Sequence, residues 1–191
     1  MRCVTEKNCL KTKRLLLEPL SRNNSQFIAQ WATDPRVTRF LGYETVSPME
    51  LQVHIKTLLA RNEKQDNDIW IVFHQPDHAA LGQVALHLGD QPERYAVGYE
   101  FQRSAWNCGY ATEAVMAVLD YAFTQTRIAF VYGTHDRENI ASGRVLEHCG
   151  MEFLSQRQGC DVKPKLLNRT MIRRYITREM WTVKRSIGCT I

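Results

Sequence analysis

Long apolar runs are missing from this chain of 191 residues. No stretch approaches the roughly 20 apolar residues that a membrane-spanning helix needs, and residues 1–10 lack the continuous apolar segment of a secretory signal. Hydrophobic residues nonetheless make up 44% and charged residues 24% of the sequence, as in ordinary globular proteins. We therefore expect a cytoplasmic protein without a membrane partner, folded as one domain over residues 1–191 with a core over about residues 12–181.

Metal-ligand spacing is also missing. The sequence has six cysteines and six histidines, but it contains no CxxC pair, and its histidines do not combine with the cysteines into a zinc-binding motif. A chain of this length with so many apolar residues does not need disulfides to fold. We expect no metal site and six free thiols, which are Cys3, Cys9, Cys108, Cys149, Cys160 and Cys189.

Acidic residues are scarce near the carboxyl end. Between Arg157 and Arg185 nine basic residues accompany two acidic ones, so the rest of the chain carries a slight net negative charge. Such a segment either attracts phosphates, acidic peptides or nucleic acid, or forms a solvated strand face. Because no recognised nucleic-acid motif accompanies it, we prefer the solvated face and do not expect nucleic acid as a partner.

Extended and helical patterns alternate along the chain, without repeats, linkers or low-complexity tracts. Extended segments are predicted at 14–20, 69–73, 81–88, 95–101, 129–134, 151–156 and 167–177. Helices are predicted at 25–32, 47–63, 109–124 and 140–149. Turn-forming residues separate the second, third and fourth extended segments, which predicts an antiparallel meander. The order predicts a single α/β sandwich.

The last predicted helix has an apolar face and a glycine at its end. Its apolar spacing places Ala141, Val145, Leu146 and Cys149 inward. Gly150 stands where a helix would end in the left-handed conformation.

The most informative stretch is the loop between the fourth extended segment and the third helix, FQRSAWNCGYATEA over 101–114. It contains neither GxxxxGK[ST] nor GxGxxG, the two common phosphate loops. A helix that begins directly after Gly109 leaves its first N–H groups unpaired, and the helix dipole favours a phosphate beside them. A lone glycine before a helix also occurs in ordinary strand-to-helix turns, so the loop by itself leaves both interpretations open.

Four ordered segments resemble one family. The loop resembles the pyrophosphate loop of the GNAT acyltransferase superfamily, (Gln/Arg)-x-x-Gly-x-(Gly/Ala), with Trp106, Gly109 and Ala111 at its defined positions. VGYEF with AWNCGYATEAV is similar to the IGYWL and WGKGYATEA of the RimJ/RimL-type branch, which acetylates protein amino termini. The other three segments resemble that branch's TxRLxLxPL, NxAS-x-RVLEKxGF and closing strand, and they are TKRLLLEPL at 12–20, NIASGRVLEHCG at 139–150 and YITREMW at 175–181.

This resemblance implies a fold, a cofactor and a set of contacts. The fold is a mixed, mostly antiparallel twisted sheet of about seven strands, with splayed central parallel strands and helices on both faces. The co-substrate is acetyl-coenzyme A, without a metal. The residues expected to contact it are Phe101, Gln102, Arg103, Trp106, Asn107, Cys108, Gly109, Tyr110, Ala111, Thr112, Asn139 and Ser142.

The resemblance also implies direct transfer of the acetyl group to an amine. Related sequences often carry an acid just before the IGY-like triplet, where this chain has Ala96. In a strand Ala96 and Glu100 share a face, so Glu100 is the candidate base, with proton loss through water as the alternative. Ser142 is the candidate donor to the leaving thiolate, since Leu146 occupies the region of the tyrosine that many members use. Asn139 is expected to cap its helix.

Two departures keep a second hypothesis open. Asn107 and Cys108 replace the usual Gly-Lys of the loop, which removes a glycine and a positive charge. A non-catalytic coenzyme A-binding module that acts on RNA or a ribosome through its basic segment is therefore the alternative to an enzyme. For an enzyme, the acceptor is either a protein amino terminus or a small-molecule amine, and a homodimer through an exposed sheet edge is possible.

Overall fold

One mixed sheet organises the residues that the computed structural model describes, which are 9–64, 67–91, 93–159 and 164–186. Its eight strands have the spatial order β1-β2-β3-β4-β5-β6-β8-β7. The strands are β1 Leu10–Lys11, β2 Leu15–Pro19, β3 Asn67–His74, β4 Ala80–Leu88, β5 Arg94–Phe101, β6 Phe130–Asp136, β7 Glu152–Gln158 and β8 Thr170–Thr177. Every neighbouring pair is antiparallel except β5 and β6, which are parallel.

Helices cover both faces of the sheet. They are α1 Ala29–Ala32, α2 Pro35–Thr38, α3 Leu51–Asn62, α4 Tyr110–Gln125, α5 Ile140–His148 and α6 Arg178–Ser186. One buried cluster joins Trp31, Ile55 and Leu58 to alternate residues of β3, so α1 to α3 lie on the first face. A larger cluster joins the apolar stripe of α4 to Leu146 of α5 and Trp181 of α6 on the second face. The predicted α/β fold with a meander and helices on both faces is confirmed.

The parallel pair separates along its length. Its ladder runs from Arg94 opposite Phe130 to Val97 opposite Gly133. β5 then continues to Phe101 with β4 as its partner, and β6 continues to Asp136 with β8 as its partner. Because each strand keeps its outer partner, the sheet stays intact while a gap opens between β5 and β6. The splay that the family resemblance implied is present.

Several boundaries differ from the sequence predictions. β1 and α6 were not predicted, since two residues give no period and α6 is a short polar segment in which Trp181 is the buried side chain. β8 begins at Thr170 rather than at residue 167, because a short 3₁₀ turn, Pro164–Leu166, precedes it. Ser47 and Glu50 form a capping box at the predicted start of this helix, although the regular helix begins only at Leu51.

One predicted core position is wrong. Ala141 is exposed, and Gly143 occupies the buried position on that face of α5. The ring of His135 lies so close that a Cβ on Gly143 would be 2.8 Å from its Cε1 atom. The helix therefore turns its smallest residue, rather than its first alanine, toward the sheet. Gly150 has the predicted left-handed conformation, with φ of 75°.

None of the cysteines in the described part of the chain forms a disulfide. Cys9, Cys108 and Cys149 are free, while Cys3, Cys160 and Cys189 lie outside the described residues. Within the same ranges no three metal-binding side chains come together. No described helix is both long and apolar enough to cross a bilayer.

Candidate active site

The loop after β5 presents a row of backbone donors. Gly109 has φ of 77° and is the N-cap of α4, so the helix begins directly after it. The N–H groups of residues 107–112 have no acceptor within the part of the chain that the structure describes, because the helical ladder begins with Glu113. The indole of Trp106 donates to the Phe101 carbonyl at 2.8 Å and holds the loop against the end of β5. Six adjacent donors at a helix N-terminus suit a pyrophosphate.

The Asn-for-Gly departure preserves the backbone of this loop. Asn107 has φ of 59°, in the left-handed region that glycine adopts freely. Asparagine is one of the few other residues that adopt this conformation readily. Replacing the family glycine with Asn107 therefore retains the turn. Cys108 next to it is exposed, and its thiol donates to the Trp106 carbonyl at 3.3 Å.

Arg14 ties the start of β2 to this loop. Its Nε donates to Glu113 Oε2 at 2.7 Å, its Nη1 donates to the Cys108 carbonyl at 3.0 Å, and its guanidinium lies 4.6 Å from the Tyr110 ring centroid. Thr12 donates to Glu113 Oε1 at 2.6 Å. Burial would raise the pKa of Glu113, but the hydrogen bonds from Thr12 and Arg14 outweigh it and lower the pKa. Arg14 thus brings a cation to the loop where Cys108 replaces lysine.

Glu100 lies on the first face of the sheet, next to Tyr43. The Tyr43 hydroxyl donates to Glu100 Oε2 at 2.6 Å, and Gln83 on β4 also hydrogen-bonds the carboxyl group. Burial raises the pKa of Glu100 to about 7, although both hydrogen bonds oppose the rise. The same burial, with the negative charge of Glu100, raises the pKa of Tyr43. A carboxyl group that titrates near neutrality is suited to accept a proton from an amine.

Ser142 lies on the second face, next to Tyr99. The Tyr99 hydroxyl lies 2.8 Å from Ser142 Oγ and 2.9 Å from the Ser142 carbonyl, to which it donates. The Asn139 side chain accepts from the Ser142 N–H at 3.2 Å, so the predicted cap of α5 is confirmed. Burial raises the pKa of Tyr99, so this hydroxyl stays protonated. The Tyr99 and Ser142 hydroxyls thus form a hydrogen-bonded pair that can donate a proton.

The two candidate catalytic side chains are not in contact. Glu100 and Ser142 lie on opposite faces of β5, since the neighbouring residues Tyr99 and Glu100 point to opposite sides of the strand. The gap where β5 and β6 separate connects the two faces of the sheet. Sequence reasoning placed both residues but missed Tyr99, Gln83 and the contact of Tyr43 with Glu100.

Two loops that are distant in sequence meet on the first face, where Lys165 contacts the segment from Thr38 to Tyr43. Lys165 donates through Nζ to the carbonyls of Thr38 and Tyr43, both at 2.9 Å, and pairs with Glu44 at 3.3 Å. A cleft of about 410 Å³ opens beside Lys165 at the carboxyl end of β6. Among the aromatic residues of the segment before α3, Trp31 is fully buried in the core, whereas Phe40 and Tyr43 are half-buried.

The basic carboxyl-terminal segment is paired rather than free. Arg173 binds Asp90 at 2.9 Å, Arg174 pairs with Glu147 and Arg185 with Asp120. Other contacts of this segment are Arg157 with Asp90, Arg169 with Asp136, Arg178 with the carbonyls of Thr126 and Ile128, and Lys184 with Glu152. These side chains compensate acidic residues elsewhere in the fold, as expected for a solvated charged face.

The parallel strands β5 and β6 separate, and the loop after β5 presents free N–H groups. Such an arrangement suits an enzyme whose co-substrate carries phosphates. The acetyltransferase (GNAT) domain model matches residues 14–152. The chain therefore belongs to the GNAT acetyltransferase family. Among its relatives, the uncharacterized N-acetyltransferase YoaA from Bacillus subtilis (strain 168) is 25% identical over 145 residues, which are 75% of this chain and 82% of YoaA.

Solved structures share the fold at low identity. Spermidine N-acetyltransferase from Vibrio cholerae, in complex with CoA and spermine, has a TM-score of 0.77 at 16% identity and covers 90% of this chain and 99% of its own. RimL, a ribosomal L7/L12 alpha-N-protein acetyltransferase in complex with coenzyme A, has a TM-score of 0.75 at 11% identity and covers 89% and 98%. At such identities the likeness concerns the fold alone.

Proposed function

We propose that the protein transfers the acetyl group of acetyl-coenzyme A to a primary amine by direct attack in a ternary complex. The observation that carries this proposal is the row of free N–H groups at residues 107–112, in the loop that follows the strand carrying the half-buried Glu100. The phosphates would lie against residues 106–112, and the pantetheine arm would follow the backbone from Glu100 to Arg103 between β5 and β6. Asn139 and Ser142 at the start of α5 would contact the arm from the second face.

The chemistry assigns one proton acceptor and one proton donor. The amine nitrogen attacks the thioester carbonyl carbon, the C–S bond breaks, and coenzyme A leaves as a thiolate. Glu100 takes the proton that the amine loses, since its pKa of about 7 leaves much of it ionised near neutrality. Ser142, backed by Tyr99, donates to the thiolate. An α-amine with a pKa of about 8 is easier to use than a lysine at about 10.4.

The acceptor is either a protein amino terminus or a small-molecule amine. RimL shares the fold and, by its name, acetylates a ribosomal protein, and four sequence segments resemble its branch. The spermidine enzyme shares the fold equally well. Within the described residues nothing favours an RNA-binding module, because basic side chains of this segment are paired with acidic residues elsewhere in the fold.

Thermal unfolding with acetyl-coenzyme A tests the donor. At about 100 times its dissociation constant the ligand adds roughly 2.7 kcal/mol to the free energy of unfolding, which raises the midpoint. ATP and NAD, which share the adenine nucleotide but lack the arm, should give smaller shifts. An absence of stabilisation at millimolar acetyl-coenzyme A contradicts the proposal.

Arg14→Met should weaken coenzyme A binding by about tenfold, which corresponds to about 1.4 kcal/mol. The substitution removes the cation near the phosphates and releases both the Cys108 carbonyl and Glu113. Calorimetric titration with coenzyme A measures the change. Arg22→Met, on an exposed residue beyond the far end of β2, is the control for lost charge. Equal dissociation constants for the Arg14 variant and the wild type would show that the backbone donors suffice.

Ser142→Ala and Tyr99→Phe should each lower kcat by about tenfold or more without changing the dissociation constant of coenzyme A. Each removes a hydroxyl from one hydrogen-bonded pair, so the double variant should be little worse than the poorer single variant. Steady-state thiol release measures all three. Strictly additive losses would mean that the two hydroxyls do not act as a unit.

A further inference from the structure

The cleft at the carboxyl end of β6 lies on the same side of the sheet as the candidate base. Ala96 pairs with Tyr132 in the parallel ladder, so their side chains share a face. Strand alternation then places Glu100 and Asp136 on that same face, one on each side of the splay. Asp136 lines the cleft of about 410 Å³. An amine that reaches Glu100 therefore extends its remaining atoms toward this cleft.

The segment 38–43 forms a wall that contacts both Glu100 and two residues that line the cleft, Lys165 and Arg169. Lys165, which also lines the cleft, donates to the carbonyls at both ends of this segment, those of Thr38 and Tyr43. Tyr43 in turn holds Glu100 at 2.6 Å. The segment is thus fixed to the base at one end and to the cleft along its side.

Two guanidinium groups contact the aromatic ring in this wall. Arg39 lies 4.8 Å from the Phe40 ring centroid and Arg169 lies 5.4 Å from it. Arg169 is committed to Asp136 at 2.7 Å and lies 3.7 Å from Glu138. Arg39 is exposed, and no carboxylate of the described residues lies within 4 Å of it. The ring orients Arg39 while leaving its charge uncompensated.

Three acids near this wall are already paired with basic side chains, whereas Glu100, which Tyr43 contacts, is the candidate base. Asp34 binds Arg36 at 3.4 Å, Glu44 binds Lys165 at 3.3 Å and Asp136 binds Arg169 at 2.7 Å. A polycationic acceptor would have to displace one of these arginines or lysines from its partner. An anionic group on the acceptor could instead bind the guanidinium of Arg39, which has no carboxylate partner among the described residues. A guanidinium can donate two parallel hydrogen bonds to a carboxylate.

We propose that Arg39, held on Phe40 beside Arg169, binds a carboxylate of the acceptor, so that the acceptor is an amine that also carries a negative charge. This rests on the proposed acetyl transfer. An acidic peptide amino terminus and a free amino acid share this chemistry. Arg39 is a specificity-determining residue, because its contact is with the acceptor and not with the reacting atoms.

Matched acceptor pairs test the assignment in the presence of saturating coenzyme A. Calorimetry compares a peptide with glutamate at its second position against its glutamine counterpart, and an amino acid against its carboxamide, with spermidine as the polycation. The wild type should bind the charged member of at least one pair about tenfold more tightly, and which pair responds distinguishes the two sources. Arg39→Gln should reduce that preference to less than about twofold.

Arg127→Gln removes the same charge at the opposite end of β6 and should keep the preference. Equal binding within both pairs, tighter binding of spermidine, or a preference that survives Arg39→Gln overturns the assignment. Thiol release from acetyl-coenzyme A with the same compounds separates the two proposals. Acetyl transfer to amines without any preference for a carboxylate would support the acetyltransferase proposal and contradict the proposed site at Arg39. Tighter binding of the carboxylate-bearing acceptor without any acetyl transfer would support the site at Arg39 and contradict the acetyltransferase proposal.

Discussion

Glu100→Gln should lower kcat/KM for acetyl transfer by about 10²- to 10⁴-fold at pH 7.5, the usual contribution of a positioned general base. Glutamine keeps the volume of the side chain and an oxygen that can accept from the Tyr43 hydroxyl. It cannot accept the proton of the amine. The dissociation constant of coenzyme A should stay unchanged, because the pyrophosphate donors lie in the loop at 106–112 and not on Glu100.

The pH dependence of the wild type provides an independent test of the same group. Because burial raises the pKa of Glu100 to about 7, kcat/KM should rise with pH through about 7, and it should rise further toward the pKa of about 8 of a free α-amine acceptor. The Glu100→Gln variant should lose the inflection at about 7. A wild-type profile without that inflection would favour proton loss directly to water.

Stability should change in the opposite direction to activity. A carboxyl group whose pKa is higher in the folded state than in the unfolded state favours folding most below its unfolded pKa, and this contribution is lost as the pH rises through its folded pKa. For Glu100 the shift from 4.5 to about 7 corresponds to about 3 kcal/mol at most. Glu100→Gln should therefore be more stable than the wild type at pH 8, and the difference should shrink toward pH 5.

Chemical denaturation at both pH values measures this difference. Glu63→Gln is the matched control, since Glu63 is exposed at the end of α3 and should change neither stability nor turnover. A Glu100→Gln variant that is inactive and also less stable at pH 8 would indicate a structural role for Glu100 rather than a base.

The backbone geometry of the loop that we propose to bind the cofactor was predictable from sequence because it is local. A strand end, a glycine and a helix start lie within 14 residues, and backbone donors need no distant partner. The same reasoning marked Asn107 as a departure, although the conformation of the turn is retained. A sequence pattern records residue types, whereas the φ of 59° depends on the turn that the chain makes there.

Contacts between distant residues were not predictable in this way. Tyr43 meets Glu100 across 57 positions, and Arg14 meets Glu113 across 99. Sequence analysis identified Glu100 as a candidate base and Arg14 as part of a motif, each without its partner. Their pairing follows from strand order, in which β2 and β5 are separated by β3 and β4 and helices return to either face. The sheet order is a property of the whole chain that no local period contains.

Gly82→Ala should lower the free energy of unfolding by about 1–3 kcal/mol, and Gly98→Ala should not lower it. A Cβ on Gly82 would lie 2.2 Å from the Glu100 carbonyl oxygen and 2.8 Å from the Phe101 Cα, and neither backbone atom can move without shifting β5. A Cβ on Gly98 meets nothing within 4 Å. Both glycines lie on the β4–β5 ladder, so the pair separates steric clash from the general effect of adding a methyl group.

The Gly98 variant also tests where the acceptor binds. Gly98 shares a face with Ala96 and Glu100, and its open space lies on the face where the amine must approach the base. Gly98→Ala should fold as well as the wild type, while Gly98→Val should fold and bind coenzyme A but lose turnover, because its branched side chain fills that space. Denaturation, calorimetry and thiol release measure the three properties. Full turnover by Gly98→Val would place the acceptor path elsewhere than over β5.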